Sequence, residues 1–339
     1  MASTNTKPKT KPSLQTSELK AILSNNAIYM VLLILFLTIG ILNKNFLSLS
    51  NIGNILRISS VRMIIALGVS GALITRGTDL SAGRVVALTA CISASLLQRP
   101  DYAYKIYENL PNLPIILPIL LAILIGTIIG IINGSIVAYL KVPAFIATLG
   151  MQVIVYGFAC IYTNAQPIGG LRDDFTNLAS GSIFLIPNLV LIAAIIVAVI
   201  WFMYNHTQFG KYIYAIGGNP SAAEVSGVKV EPTLVKVYAL AGGLYGLAGA
   251  LLAARTGGAT NNYGLMYELD AIAACTIGGV STSGGIGRVS GIITGVLIFE
   301  VLSNGLVILG VSAYWQQVIK GIIIVTAVAF DIRKYFAKR

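Results

Sequence analysis

Charged side chains are scarce in this 339-residue chain, because Asp, Glu, Lys and Arg together make up only 10% of it. A water-soluble domain of ordinary composition is about one quarter charged, so this shortage argues against a soluble enzyme. Hydrophobic residues reach 56%, and the mean hydropathy is +0.83. The apolar runs are continuous rather than alternating, which disfavours a porin-like barrel. The composition therefore predicts packed transmembrane helices in a lipid bilayer.

Residues that carry enzyme chemistry are nearly absent as well. His206 is the only histidine, and no serine or cysteine nucleophile accompanies it. Cys91, Cys160 and Cys275 lie in apolar segments and lack the spacing of metal ligands. No GxxxxGKS/T phosphate loop is present, so this chain cannot hydrolyse ATP itself. We therefore expect a protein that is not an enzyme and that holds no metal or cofactor of its own.

Positive charge is in excess, since 23 Lys and Arg against 12 Asp and Glu give a net charge of +11. The basic residues are scattered at the edges of apolar segments and are not gathered with aromatic residues, so we expect no nucleic-acid partner. They are typical of topology signals instead. Both tails are basic, and most other Lys and Arg residues, Arg84 included, are assigned to the same side, predicted to be the cytoplasm. Arg57 and Arg62 are assigned to an outer loop.

Ten apolar spans predict an all-α, polytopic membrane protein of about ten transmembrane helices, and the even number puts both termini in the cytoplasm. Several spans are shorter than the roughly 20 residues that a straight helix needs, so some are expected to be broken or re-entrant. We expect residues 1–26 to form a disordered cytoplasmic tail, 27–331 the transmembrane domain and 332–339 a second tail. The spans are 27–42, 61–75, 83–98, 114–140, 143–163, 186–204, 234–254, 267–280, 289–310 and 314–331.

Two breaks in the apolar pattern resemble each other. Residues 77–85 and 279–289 each combine Gly and Ser and then restart a helix at Arg-Val. Paired interruptions of this kind indicate an internal repeat and a translocation path, with chance similarity as the alternative. Other glycines recur every fourth residue, a spacing that predicts close helix packing on one face. These are Gly126, Gly130, Gly134, Gly242 and Gly246.

Charges within the spans require partners or hydration, because an isolated charge in the bilayer is costly. We interpret Asp79 as a cap for the helix that follows it, and Glu268 and Asp270 as caps that could also meet a polar solute. Glu300 and Lys320 are predicted to form a structural ion pair between the last two spans. Candidates for the translocation path, each of which could instead make an interhelical hydrogen bond, are Ser70, Asp79, Asn133, Thr148, Gln152, Asn261, Asn262, Glu268, Asp270 and Asn304.

The longest inner loop, residues 205–235, carries helix signals of its own. Asn219 followed by Pro220 can start a short helix, and Gly227 would end it. A short amphipathic helix parallel to the membrane suits a groove on a partner protein. The alternative, a plain connector, is weakened by the length of the loop. The residues assigned to this coupling element are Asn219, Pro220, Ala222, Ala223, Glu224 and Gly227.

Four ordered segments resemble the membrane subunits of ribose- and galactoside-type ABC sugar importers. They are TRGTDLSAG (75–83), AIGGNP (215–220) with the stretch 222–227, YELDAIAA (267–274) and IGGVS (277–281). The resemblance runs from about Asn45 to the C-terminus. Arg84 fits the galactoside branch better than the ribose branch. Arg288 departs from the small or hydroxyl residue that is common in the family, and no role is carried over to it.

The resemblance implies a homodimeric permease of the bacterial inner membrane that works by alternating access. It would receive sugar from a periplasmic binding protein and be driven by a cytoplasmic ABC ATPase, on which ATP and magnesium bind. Ala222 and Ala223 would then seat in a groove of the ATPase, and Glu224 would offer it a carboxylate. Mixed charge in outer loops would suit salt-sensitive docking of the binding protein, with plain solvated loops as the alternative. These docking candidates are Glu108, Arg172, Asp173 and Asp174.

Two other functions are weighed against this one. A proton-coupled secondary transporter of a small polar solute would use Asp79, Glu268 or Glu300 as its proton site. Uptake that is sensitive to uncouplers and independent of an ATPase would favour it. A membrane enzyme is disfavoured, because the chain lacks a catalytic constellation.

Overall fold

The computed structural model describes residues 27–336, which form 13 α-helices, a 3₁₀ turn at Lys44–Leu47 and one short antiparallel β-hairpin. The expected tail 1–26 lies outside the described residues, and the last helix extends into the predicted tail 332–339. The elements are α1 (Ala27–Leu42), α2 (Leu49–Ile74), α3 (Ala82–Leu96), α4 (Ile116–Ala138), α5 (Ala144–Thr163), α6 (Asp173–Ser180), β1 (Ser182–Ile183), β2 (Ile186–Pro187), α7 (Asn188–His206), α8 (Gln208–Gly218), α9 (Pro220–Val225), α10 (Val230–Thr256), α11 (Tyr267–Ile277), α12 (Val289–Ile308) and α13 (Ala313–Phe336).

Each of the ten predicted spans coincides with a helix. Within residues 27–336, seven helices are long and apolar enough to cross a membrane, namely α2, α4, α5, α7, α10, α12 and α13. α1 and α3 are shorter apolar helices, and α11 has only 11 residues. The prediction of an all-α polytopic membrane protein is therefore confirmed.

The largest boundary difference is at α2, which begins at Leu49 rather than at residue 61. Its first half contains polar residues that lower the local hydropathy, so the apolar pattern does not reveal this part of the helix. The structure gives these residues partners inside the protein: Asn51 bonds with Asn304 on α12, and Arg62 pairs with buried carboxylates. Polar groups within a span are acceptable when other helices satisfy them.

α10 is the central helix of the bundle and packs against α4, α3 and α2. Two of the predicted glycine patterns meet here, because Gly126 on α4 lies in backbone contact with Gly242 on α10. Gly130 lies in the same way against the backbone of Tyr238. A Cβ atom at any of these three glycines would overlap a backbone atom of the other helix. The close approach of α4 and α10 therefore depends on the missing side chains.

We call the end of the bundle predicted to face the cytoplasm the inner end, and the opposite one the outer end. α3 and α11 are half-helices of 15 and 11 residues, and each follows a break in the chain. The break before α3 leads back from the inner end of α2, and the break before α11 leads back from the outer end of α10. The two half-helices start beside each other, because Gly83 and Gly264 are in backbone contact inside the bundle.

Short elements cover the two ends of the bundle. α6 and the β-hairpin lie at the outer end, whereas α8 and α9 lie at the inner end. The loop 278–288 joins α11 to α12 at the inner end, where it contacts the end of α2. The internal repeat expected from residues 77–85 and 279–289 stays a prediction. The segment that faces the first of these breaks is 257–266.

Candidate functional site

The break before α3 places a carboxylate, Asp79, inside the bundle, where it is 1% exposed. Asp79 Oδ1 accepts a hydrogen bond from the backbone N–H of Ser81 at 3.0 Å and one from its hydroxyl at 2.6 Å. The same hydroxyl accepts a bond from Asn133 Nδ2 on α4 at 2.9 Å. Ser81 is the N-cap residue of α3, so Asp79 fixes the residue just before the half-helix. It does so through Ser81 and not, as the capping interpretation expected, through the backbone N–H groups of the first helical turn.

Thr148 on α5 holds the same break from another side. Its hydroxyl accepts a hydrogen bond from the backbone N–H of Leu80 at 3.0 Å and lies 3.0 Å from the carbonyl oxygen of Thr78. The structure thus brings three of the path candidates, Asp79, Asn133 and Thr148, together around one break. Carboxylate, amide and hydroxyl groups in one place can hydrogen-bond a polar solute or fix the half-helix.

A second carboxylate lies where the two half-helices meet. Glu268 is in the first turn of α11, is 4% exposed and places Oε2 against Gly83. Arg84 donates to the carbonyl oxygen of Asn261 at 3.3 Å and lies over the ring of Tyr156 at 4.4 Å. The assignment of Arg84 to a cytoplasmic loop is therefore wrong. Its charge lies within the bundle, where the aromatic face of Tyr156 and the carbonyl oxygen of Asn261 partner it.

Four charged side chains form a network that joins α2, α11, α12 and α13. Arg62 Nη1 lies 3.0 Å from Asp270 Oδ2 and 2.7 Å from Glu300 Oε1. Lys320 Nζ lies 3.2 Å from the same oxygen of Asp270. Two positive and two negative charges cancel in this network, which satisfies the requirement that charges inside a bilayer be paired.

The predicted Glu300–Lys320 ion pair is wrong in its partners. Glu300 pairs with Arg62, which the topology assignment had placed in an outer loop, and Lys320 pairs with Asp270. Lys320 also lies 5.3 Å from the ring of Phe299. Asp270 is consequently a charge partner that ties α11 to both neighbours. Its carboxylate is already paired and is not free to bind a solute.

Other path candidates join helices to each other. Ser70 lies 3.1 Å from the hydroxyl of Tyr204 on α7. Asn304 exchanges two side-chain hydrogen bonds with Asn51, at 3.0 and 3.1 Å. Ser70 and Asn304 therefore make interhelical hydrogen bonds, which was the alternative to a place on the translocation path. The remaining candidates are the half-buried Gln152, the exposed Asn262 and the buried Asn261, whose Nδ2 lies 3.0 Å from Cys160 Sγ.

The predicted coupling helix is present as α9, Pro220–Val225. Asn219 is its N-cap, and its side chain accepts a hydrogen bond from the backbone N–H of Ala222 at 3.1 Å. Gly227 has a φ of +85° and ends the turn in the left-handed conformation that glycine adopts without strain. The local sequence signals therefore give the helix that they predict.

The exposed face of α9 differs from the expectation. Ala223 is 4% exposed and packs within its own chain against Ile216, Val228 and Val230. The expectation that Ala223 seats in a groove of another protein is therefore wrong. The exposed residues of this helix are Ser221, Ala222, Glu224 and Val225, and Val225 is 91% exposed.

At the outer end, Arg172 holds the loops in place. Its Nη1 donates to the carbonyl oxygen of Leu113 at 2.7 Å, and its guanidinium also pairs with Asp174 at the start of α6. The hydrogen bond from Arg172 holds the pKa of Asp174 below its usual range. Asp173 and Glu108 are exposed. Of the four docking candidates, Arg172 is thus engaged in a structural role, while Asp173 and Glu108 offer free acidic surface.

Two arginines lie within the bundle and need charge partners, although the sequence did not predict this. Arg62 is followed directly by the apolar stretch MIIALG, and Arg84 follows the break at residues 77–83. Both are the second residue of a predicted span, 61–75 or 83–98, yet the topology assignment counted them with the neighbouring loops. Their positions within these spans were the signal that could have placed them in the bundle.

These features define a class of protein. A polytopic α-helical bundle with polar groups at breaks in its interior, and with a helical element at its inner end, is typical of a membrane transport subunit.

Comparison with known proteins agrees with this class. A family model described as "Branched-chain amino acid transport system / permease component" matches residues 51–328. The galactose/methyl galactoside import permease protein MglC of Escherichia coli (strain K12) is 50% identical over 324 residues, which cover 94% of this chain and 96% of that protein. The protein of the same name from Salmonella typhimurium is 51% identical with the same coverage. The ribose import permease protein RbsC of Escherichia coli (strain K12) is 38% identical over 93% of this chain and 96% of its own. No solved structure is significantly similar to the chain.

The chain therefore belongs to this family of permease components. It is a membrane-spanning transport subunit of an ABC importer and is not an enzyme. It resides in the bacterial inner membrane as a multi-pass protein. The resemblance seen in the four sequence segments is thereby confirmed.

Proposed function

We propose that this chain passes galactose or methyl galactoside into the cytoplasm by alternating access, as the membrane subunit of an ATP-driven importer. The observation that carries the choice of sugar is the difference between its relatives. Identity is 50% with a galactose/methyl galactoside permease and 38% with a ribose permease of the same species, at similar coverage. Breaks with buried polar groups on both half-helices support a path that opens first to one side and then to the other.

A cytoplasmic ABC ATPase is the proposed partner at the inner end. The exposed face of α9, which presents Glu224 and Val225, supports this contact. ATP and magnesium would bind to that ATPase, and this chain would hold no cofactor. A periplasmic sugar-binding protein would dock at the outer end, where Asp173 and Glu108 are exposed.

A second copy of the chain completes the proposed assembly. Helices α5, α7 and α13 have few fully buried residues within one protomer, and an 18-residue window of α13 has none. Two copies would bring some of this apolar surface together, and lipid would cover the rest. Mass measurement of the complex released from a lipid nanodisc tests this proposal. Two copies per complex support it, and a single copy contradicts it.

Uptake into proteoliposomes tests the substrate and the energy source together. Vesicles that contain this chain and its ATPase, with ATP inside and loaded binding protein outside, should accumulate labelled galactose faster than labelled ribose. Replacement of ATP by a non-hydrolysable analogue should stop uptake, and an uncoupler should not. Uptake that persists without ATP and stops with the uncoupler would instead support the proton-coupled transporter. Equal rates for the two sugars would overturn the assignment of the sugar.

The contact of α9 with the ATPase has its own test. Val225→Asp should weaken recovery of the ATPase in a pull-down, because a charge would replace the most exposed apolar side chain of the helix. The matched control is Gln208→Asp, which introduces the same residue at an exposed position on α8. Equal recovery with both variants would remove Val225 from the interface.

A further inference from the structure

Three segments meet at the inner end in a contact that we call the inner seam. They are the end of α2 with its following turn (74–77), the end of α8 (217–218) and the loop between α11 and α12 (281–287). The backbone N–H of Gly285 donates to the carbonyl oxygen of Ile74 at 2.8 Å. The seam thus joins parts of the chain that lie more than 200 residues apart in sequence.

Arg76 binds the end of α8 from the turn after α2. Its Nε donates to the carbonyl oxygen of Gly217 at 2.7 Å, and a second nitrogen donates to that of Gly218. Arg76 has a φ of +64°, a conformation that a residue with a side chain rarely adopts, so the surrounding contacts hold it there. Asn219, the N-cap of α9, comes directly after the two bound carbonyl groups.

The third segment is fixed on two sides. The hydroxyl of Tyr214 on α8 donates to the carbonyl oxygen of Gly287 at 2.9 Å. Asp331 Oδ2 on α13 accepts hydrogen bonds from the hydroxyls of Ser281 and Thr282 and from the backbone N–H of Thr282, at 2.9 to 3.1 Å. Hydrogen bonds therefore tie this loop to both α8 and α13.

Neighbouring glycines show how tightly the seam is packed. A Cβ atom on Gly217 would overlap the carbonyl oxygen of Ile74 and would lie 2.5 Å from the backbone nitrogen of Gly285. A Cβ atom on Gly218, the next residue, would meet nothing within 4 Å. Because backbone atoms meet directly at Gly217, α8 has little room to move without displacing the other two segments.

We propose that the inner seam transmits movement of α9 to the two half-helices, with Arg76 as a positioning residue. The turn held by Arg76 leads into the break with Asp79 and then into α3. The loop held at Gly285 follows the end of α11. A displacement of α9 by a partner therefore reaches both half-helices, whose starts meet at Gly83 and Gly264. The inference rests on the proposed role of α9 as the contact with the ATPase.

The two adjacent glycines provide the test. Gly217→Ala should wedge the seam open, whereas Gly218→Ala makes the same change on the same helix where space is open. Each variant is reconstituted in proteoliposomes with the ATPase, and three quantities are measured: ATPase recovery in a pull-down, ATPase stimulation by loaded binding protein, and galactose uptake. We expect Gly217→Ala to retain ATPase recovery but to lower stimulation and uptake by about tenfold, within the usual range of coupling between two sites. Gly218→Ala should match the parent in all three.

Two results would overturn the proposal. One is stimulation and uptake by Gly217→Ala equal to those of Gly218→Ala. The other is loss of ATPase recovery by Gly217→Ala in parallel with uptake, because the seam would then only hold α9 in its docking position. Failure of the proposed function looks different, since the parent and Gly218→Ala would then also lack binding-protein stimulation.

A second variant keeps the test open if Gly217→Ala does not fold. Arg76→Gln shortens the side chain and removes the two hydrogen bonds to the carbonyl oxygens of Gly217 and Gly218. It adds no atoms that could disturb the packing. It should retain ATPase recovery and lower the ratio of sugar transported to ATP hydrolysed. Arg76→Lys should restore part of that ratio, because it keeps a donor and the charge. An unchanged ratio in Arg76→Gln would contradict the positioning role.

Discussion

α10 and α13 have similar mean hydropathy, yet their surroundings are opposite. In an 18-residue window of α10, 78% of the residues are buried within the chain, whereas no residue of the corresponding window of α13 is fully buried. α10 presents Gly242 and Gly246 to α4, while α13 exposes large side chains such as Trp315 and Phe330. Apolar character places a helix in the bilayer, but small residues decide which helix occupies the centre of the bundle.

The largest effect is expected where α10 and α4 touch through their backbones. Gly242→Leu should abolish recovery of folded, monodisperse protein, because its side chain would overlap Gly126 and rigid backbone cannot move aside. Gly150→Leu is the control on α5, since a Cβ there would meet nothing within 4 Å. Size-exclusion chromatography in detergent measures both. Equal recovery of the two variants would contradict the view that the close contact of α10 with α4 requires glycine at residue 242.

The next effect concerns the charge network between the core and α13. Arg62→Gln should destabilise the protein by about 3–5 kcal/mol, because it leaves Glu300 buried without its cationic partner. Thermal unfolding in nanodiscs measures the loss. Addition of Glu300→Gln to the same chain should recover part of it, since the unpaired charge is then removed. Lower stability of the double variant than of Arg62→Gln alone would contradict this pairing.

A pair of truncations compares the two helices directly. Leu251→Ala on α10, where the side chain is 1% exposed, should cost about 2 kcal/mol or more through the cavity it leaves. Ile322→Ala on α13, 61% exposed, should stay within about 0.5 kcal/mol. Thermal unfolding of a single copy in a nanodisc gives both values. An equal loss for the two would show that α13 is packed against protein in that state.

Apart from the exposed control Ile322→Ala, the smallest effect is expected at the polar contact between α2 and α12. Asn304→Leu should cost about 0.6 kcal/mol, the average for an interhelical hydrogen bond in a membrane protein. A double-mutant cycle with Asn51→Leu separates the pair energy from packing changes. A coupling energy of zero would place the stability of this region in its apolar contacts alone.

Continuous apolar runs and local signals predicted most of the fold. All ten helical spans were found, and the start of α9 followed from Asn219 and Pro220, because caps and turns depend on neighbours in sequence. The orientation of Ala223 could not be predicted, since a helix of six residues has too few turns to show a packed face. The true partner of Glu300 was missed for a different reason. Arg62 had been assigned to a loop, and lateral contacts between helices leave no trace in hydropathy.

The Arg62 network also bears on how the protein is made. Arg62 lies 208 residues ahead of Asp270 in the chain. At a synthesis rate of about 5–20 residues per second, the arginine exists for roughly 10–40 s before its first carboxylate partner is translated. An unpaired arginine at the centre of a membrane helix costs about 2.5–3.5 kcal/mol on insertion. The apolar second half of α2 has to offset that cost alone during this interval, so insertion of α2 is sensitive to loss of its hydrophobic residues.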